Sequence, residues 1–111
     1  MIPIRILGVK LVVAEVTGDF DAMREQVDHI RDQLGSGVVV LGAKDEEKLR
    51  LLVAVTKDLA GSKVHAGKLV QALAARVGGR GGGRPDMAQA GAADPSRLGE
   101  ALAAVVGLIG G

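Results

Sequence analysis

The 111-residue chain contains no cysteine, tryptophan or tyrosine, and Phe20 is its only aromatic residue. Without cysteine there is no disulfide, no thiolate nucleophile and no thiolate metal ligand, a composition compatible with the cytoplasm. Only two histidines occur, His29 and His65, and they form no His-x-x-x-His pair, so a zinc site is not expected. Ser36, Ser62 and Ser96 fall at turn or cap positions without the strand-turn-helix setting of a nucleophilic serine. No apolar run approaches the ~20 residues that span a bilayer. No charged start leads into an apolar run with a cleavage site. These absences predict a soluble, cytoplasmic protein with no membrane partner and no catalytic or metal centre of its own.

What is present is an uneven distribution of charge. The net charge of +1 conceals a first half, residues 1–60, with ten acids and eight bases, and a second half with three acids and six bases. Lys63, Lys68, Arg76, Arg80 and Arg84 follow one another with no intervening carboxylate. Clustering of one sign suits a polyanionic partner, with a solvated basic face as the plainer alternative.

Hydrophobic periodicity divides the chain into alternating elements. Val9–Val16 is β-branched and apolar and reads as a strand, which Ile2–Leu7 extends or precedes as a frayed end. Asp19 is a helix N-cap, and Phe20, Met23, Val27, Ile30 and Leu34 form the stripe of an amphipathic helix closed by Gly35. Val38–Leu41 and Lys48–Lys57 read as strands, antiparallel because the acidic connector 43–47 is short. Asp45-Glu46-Glu47 lacks calcium-loop spacing and is expected to be a solvated turn. Ser62 is placed to cap a helix with the stripe Leu69, Val70, Leu73 and Val77, and Asp94-Pro95 to open a last helix through Leu98, Leu102, Val105 and Ile109. The expectation is an α/β (α+β) domain over residues 9–111, with a small mixed sheet of three or four strands and about three helices. Residues 1–8 are expected to be an N-terminal extension or the remainder of an upstream linker.

Between the last two helices lies Gly78–Gly91, GGRGGGRPDMAQAG. Glycine is costly to order, so such a run is not expected to serve packing alone. Bare backbone amides beside Arg80 and Arg84 suit phosphate. The run is neither a triphosphate loop, since no Gly-Lys-Ser/Thr follows, nor a dinucleotide fingerprint, since it follows a helix and its spacing fails. Residues 78–93 are therefore read as a long glycine-rich loop, either functional or disordered. Asp86 serves equally as a partner for Arg84 or the loop amides and as an acceptor for a ligand hydroxyl.

Together with Ala54–Leu59 (AVTKDL) and Val64–Leu69 (VHAGKL), the glycine segment resembles the globular C-terminal domain of bacterial-type alanyl-tRNA synthetases, the DHH-associated domain. The resemblance covers most of the chain. It implies a non-catalytic tRNA-binding module that contacts the tRNA elbow and connects aminoacylation with editing. The partners it implies are tRNA(Ala) and the catalytic and editing domains of the same enzyme, with self-association left open. ATP, magnesium and zinc would belong to those other domains, and whether Met1 is a native start is also left open. The contact residues implied are Lys63, His65, Lys68, Arg76, Arg80, Gly81, Gly82, Gly83, Arg84, Asp86 and Gln89. Related domains accompany DHH phosphodiesterases, where they present a glycine-rich motif to nucleic acid. Those relatives usually carry histidine after the glycines, whereas this chain has Arg84-Pro85-Asp86, which favours the synthetase. The accessory domain of such a phosphodiesterase is the alternative reading, and a structural or dimerisation module is a third.

Overall fold

A computed structural model describes residues 4–6 and 8–110. Six strands form one mixed sheet: β1 (Ile4–Ile6), β2 (Val9–Glu15), β3 (Val38–Lys44), β4 (Leu49–Val55), β5 (Arg80–Gly83) and β6 (Met87–Ala92), in the spatial order β1-β2-β3-β4-β6-β5. Among the described strands only β2 and β3 pair parallel; helix α1 (Phe20–Leu34) is the crossover between them. Helix α2 (Ala66–Arg76) connects β4 to the β5–β6 hairpin, and α3 (Leu98–Gly110) ends the described chain. Of the proposed N-terminal extension, Ile4–Ile6 pairs antiparallel with β2, while Met1–Pro3 and Leu7 lie outside the described residues.

Strand alternation sorts the apolar residues into two cores. Leu11, Val38, Val40, Leu51, Val53 and Ala90 face α2 and α3, whose Leu69, Val70, Leu73, Leu98 and Val105 complete that core. Val12, Val39, Leu41, Leu52 and Ala54 face the opposite way onto Met23 and Val27 of α1. Phe20 packs at the edge of this second core, partly buried. With β3 and β4 covered on both faces, their runs of valine and leucine follow from burial rather than from alternation with polar residues.

The expected caps form where Asp19 accepts the Ala22 amide at 3.0 Å and Asp94 accepts that of Ser96 at 3.0 Å. Gly35, at φ 77°, closes α1 by donating to the Arg31 carbonyl. Asp45 organises the acidic turn by accepting the amides of Glu47 and Lys48 and the Arg50 guanidinium; these bonds hold its carboxyl below the ordinary value. Ser62 is not the cap of α2. Its hydroxyl donates to the Leu59 carbonyl, and His65 Nδ1 accepts the Lys68 amide at 3.2 Å.

The sheet exceeds the expected three or four strands because the glycine segment is a hairpin rather than a long loop. Strand β6 pairs antiparallel with β4 along its whole length, and β5 pairs with β6 from Arg80–Gly91 to Gly83–Ala88. Its glycines and alanines lack the β-branched and aromatic side chains that announce a strand. They answer instead to close approach. A Cβ on Gly81 would collide with Ala90 and the Gln89 carbonyl, one on Gly79 with the Gly91 carbonyl, and one on Gly83 with Ala88 at 2.7 Å. Close packing thus accounts for three of the glycines.

Candidate nucleic-acid interface

Three separate segments meet at the start of α2: the loop before it, its own first turn, and the β5–β6 turn. The Ala66 amide donates to the Pro85 carbonyl at 2.9 Å and the Gly67 amide to that of Arg84 at 3.1 Å. With Lys68 N–H on His65 Nδ1 and Leu69 N–H on the His65 carbonyl, all four first-turn amides have partners. The helix start is therefore closed to anions by its own backbone. Gly67 makes this junction, since a Cβ there would stand 2.6 Å from the Gly83 carbonyl oxygen.

Side chains, rather than free amides, supply the positive charge at this end. Lys63 and Lys68 are exposed, and neither has an acidic partner among the described residues. Arg84 extends from the hairpin turn with its side chain 76% exposed; its Nε lies 3.5 Å from Asp86 Oδ1. So exposed an ion pair contributes little and leaves the guanidinium able to exchange partners. Asp86 also fastens the turn to the sheet, its carbonyl accepting the Val55 amide at 2.9 Å.

Arg76 and Arg80 occupy the other end of α2. Arg76 is the last residue of that helix, and Arg80 opens β5 beside Glu47 and Lys48. Arg84 lies four residue steps beyond Arg80 along the strand, a span of roughly 13 Å. The bases thus form two groups at opposite ends of α2, not one continuous patch. Gly81, Gly82 and Gly83 run between them on a sheet edge that has no neighbour beyond β6 among the described residues.

Gln89 is set apart. Alternation along β6 turns Ala88 and Ala90 to the α2 side and Gln89 to the α1 side, where its Oε1 accepts Arg24 Nη2 at 2.5 Å. Two arginines absent from the sequence-based site act as structural partners: Arg24 here, and Arg97, whose guanidinium donates to the Arg76 carbonyl at 2.5 Å and pairs with Glu100. Neither the Arg24–Gln89 nor the Arg97–Arg76 contact had a local signal, since each joins residues far apart in the chain.

Residues 8–111 match the DHHA1 domain family. The chain belongs to that family. Among its relatives are alanine–tRNA ligases of Pelotomaculum thermopropionicum, 56% identical over 86% of this chain, and of Anaeromyxobacter dehalogenans, 54% identical over 91%. The chain spans 11% of the length of each. Its fold matches the C-Ala domain of Aquifex aeolicus alanyl-tRNA synthetase with a TM-score of 0.88 at 23% identity, covering the whole of both chains. A ribosomal-protein family member described as a DHH domain shares the fold at a TM-score of 0.66 and 17% identity, over 96% of this chain and 27% of that one. The resemblance first carried by the glycine segment is therefore a family relationship. Among the described residues of the DHHA1 domain, no helix is long and apolar enough to cross a membrane.

Proposed function

We propose that this DHHA1 domain is the tRNA-binding, non-catalytic part of an alanine–tRNA ligase. It contacts the elbow of tRNA(Ala) and holds it in common for the aminoacylation and editing parts of the enzyme, in the cytoplasm. ATP, magnesium and zinc act in those other parts. The observation that carries this reading is the convergence of Lys63, Lys68 and Arg84 from three segments onto one end of α2, with two lysines free of acidic partners among the described residues. Phosphate neutralisation needs mobile, uncommitted charge of this kind. Arg76 and Arg80 provide a second contact about one helix length away. With no aromatic platform, backbone and shape of a folded RNA are what this surface reads.

The test is a titration of intact tRNA(Ala) against an acceptor minihelix that lacks the elbow, at several salt concentrations. Tighter binding of intact tRNA, falling steeply with salt and lost in Arg80→Glu with Arg84→Glu, is the expected result. Equal affinity for both RNAs removes the elbow contact. Preference for short single strands supports the phosphodiesterase accessory domain instead.

A further inference from the structure

An open cavity of about 370 Å³ lies between the loop preceding α2, the first turns of α2 and the end of α3. That volume falls within the range of about 300–1,000 Å³ typical of small-ligand sites. Its lining is mixed in chemistry. Lys63 and Lys68 line it together with the aliphatic side chains of Leu69, Ala72, Leu108 and Ile109. Among the described residues none of the lining side chains is acidic. His65 also lines it, and accepting the Lys68 amide at Nδ1 leaves the neutral ring with its proton on Nε2, a donor with no partner among the described residues.

Apolar surface beside two unneutralised cations suits a ligand with a flat uncharged body and an anionic end. We infer that this cleft receives one unstacked nucleotide of the bound RNA, its phosphate between Lys63 and Lys68 and its base against Leu69, Leu108 and Ile109. The inference rests on the tRNA-binding reading and deepens it. The surface does not only follow the ribose-phosphate chain; it also selects RNA that can release a base. The His65 Nε2–H supplies one donor for a base edge or a ribose hydroxyl. Aliphatic side chains replace the aromatic rings that usually support an extruded base, so the contact depends on area and water exclusion rather than on stacking.

The experiment is an amide shift map of the isotope-labelled chain titrated with intact tRNA and, separately, with adenosine 5′-monophosphate. Affinities of Ile109→Asn and Lys63→Gln for tRNA are measured alongside. The cleft predicts that tRNA moves the amides of Lys63, Lys68 and Ile109. It also predicts that Ile109→Asn weakens tRNA binding about fivefold without changing the salt dependence, and that Lys63→Gln lowers the salt slope. If the wild-type chain binds tRNA while Ile109 stays unmoved and Ile109→Asn binds equally well, the nucleotide cleft is refuted and the tRNA reading survives. If tRNA does not bind at all, both fall. Shifts with the mononucleotide alone identify a site for free nucleotide and overturn the RNA assignment. The wild-type map needs no variant, so a folding defect in Ile109→Asn does not block the test.

Discussion

The Gly67 amide donates to the Arg84 carbonyl at 3.1 Å and locks the start of α2 onto the turn of the glycine hairpin. Two motifs that stand apart in the sequence, His-Ala-Gly-Lys and Gly-Gly-Gly-Arg-Pro-Asp, are therefore two halves of one junction. Gly67→Ala should loosen it, because the added methyl meets the Gly83 carbonyl at 2.6 Å. A loss of about 1–3 kcal/mol, typical of overpacking, is expected in denaturant unfolding. Unchanged stability would mean that the turn can retreat from the helix.

The glycines of β5 are not equivalent. Gly81→Ala puts a methyl into Ala90 and the Gln89 carbonyl, whereas Gly82→Ala meets only the end of the Gln71 side chain at 3.1 Å. Gly81→Ala should lower the melting temperature by several degrees, about 1–3 kcal/mol for a domain of this size, and Gly82→Ala should leave it nearly unchanged. Equal effects of the two substitutions would contradict the pairing of β5 with β6.

His65 caps α2 through its ring. His65→Ala should cost about 1 kcal/mol and His65→Asn should restore most of it, as asparagine is a strong N-cap residue. The check is chemical unfolding of both variants at neutral pH. Failure of asparagine to rescue would indicate that the ring acts by packing rather than by accepting the Lys68 amide.

Thr56 is buried and its Oγ1 accepts the Gly37 amide at 2.9 Å, between β4 and the start of β3. Thr56→Val keeps the shape and strands a buried N–H, which costs about 1–3 kcal/mol. Hydrogen exchange should then show faster exchange of the Gly37 amide. Protection equal to the parent would refute that role for the hydroxyl.

Acid stability offers a signed test. The Asp58 carboxyl is held below its ordinary value of 3.8, first by the Ser36 hydroxyl and then by Thr56. A value depressed by folding stabilises the fold above the ordinary carboxylate value, and that contribution disappears as pH falls through the lower folded-state value. Ser36→Ala should therefore lower the melting temperature at neutral pH and have a smaller effect once the carboxyl is protonated in strong acid. A pH-independent difference would remove Asp58 from the account.

The β2–α1–β3–β4 portion was legible from the sequence because its signals are local. Asp19, Gly35 and the stripe from Phe20 to Leu34 mark a helix whatever it packs against, and the valine-rich runs report burial directly. The hairpin was not legible. Residues 80–92 carry alanine and glycine where strands usually carry branched side chains, and what makes them strands is the neighbouring edge of β4. Of the candidate site, the basic residue types could be read in advance, but not their division between the two ends of α2. Nor could the turn of Gln89 to the opposite face, since strand parity has meaning only once a strand exists.

Sequence by itself determined the family, the apolar stripes and valine-rich runs that supply the core, and the surplus of positive charge after residue 60, because composition and short-range spacing are properties of the chain. Tertiary structure alone decided that the glycines are strand residues, that the amides of α2 are consumed by the hairpin turn, and that Lys63 and Lys68 flank an aliphatic cleft. The first two depend on atoms far apart in sequence coming within about 3 Å, the range over which hydrogen bonds and steric exclusion act, and the third on the end of α3 packing beside α2.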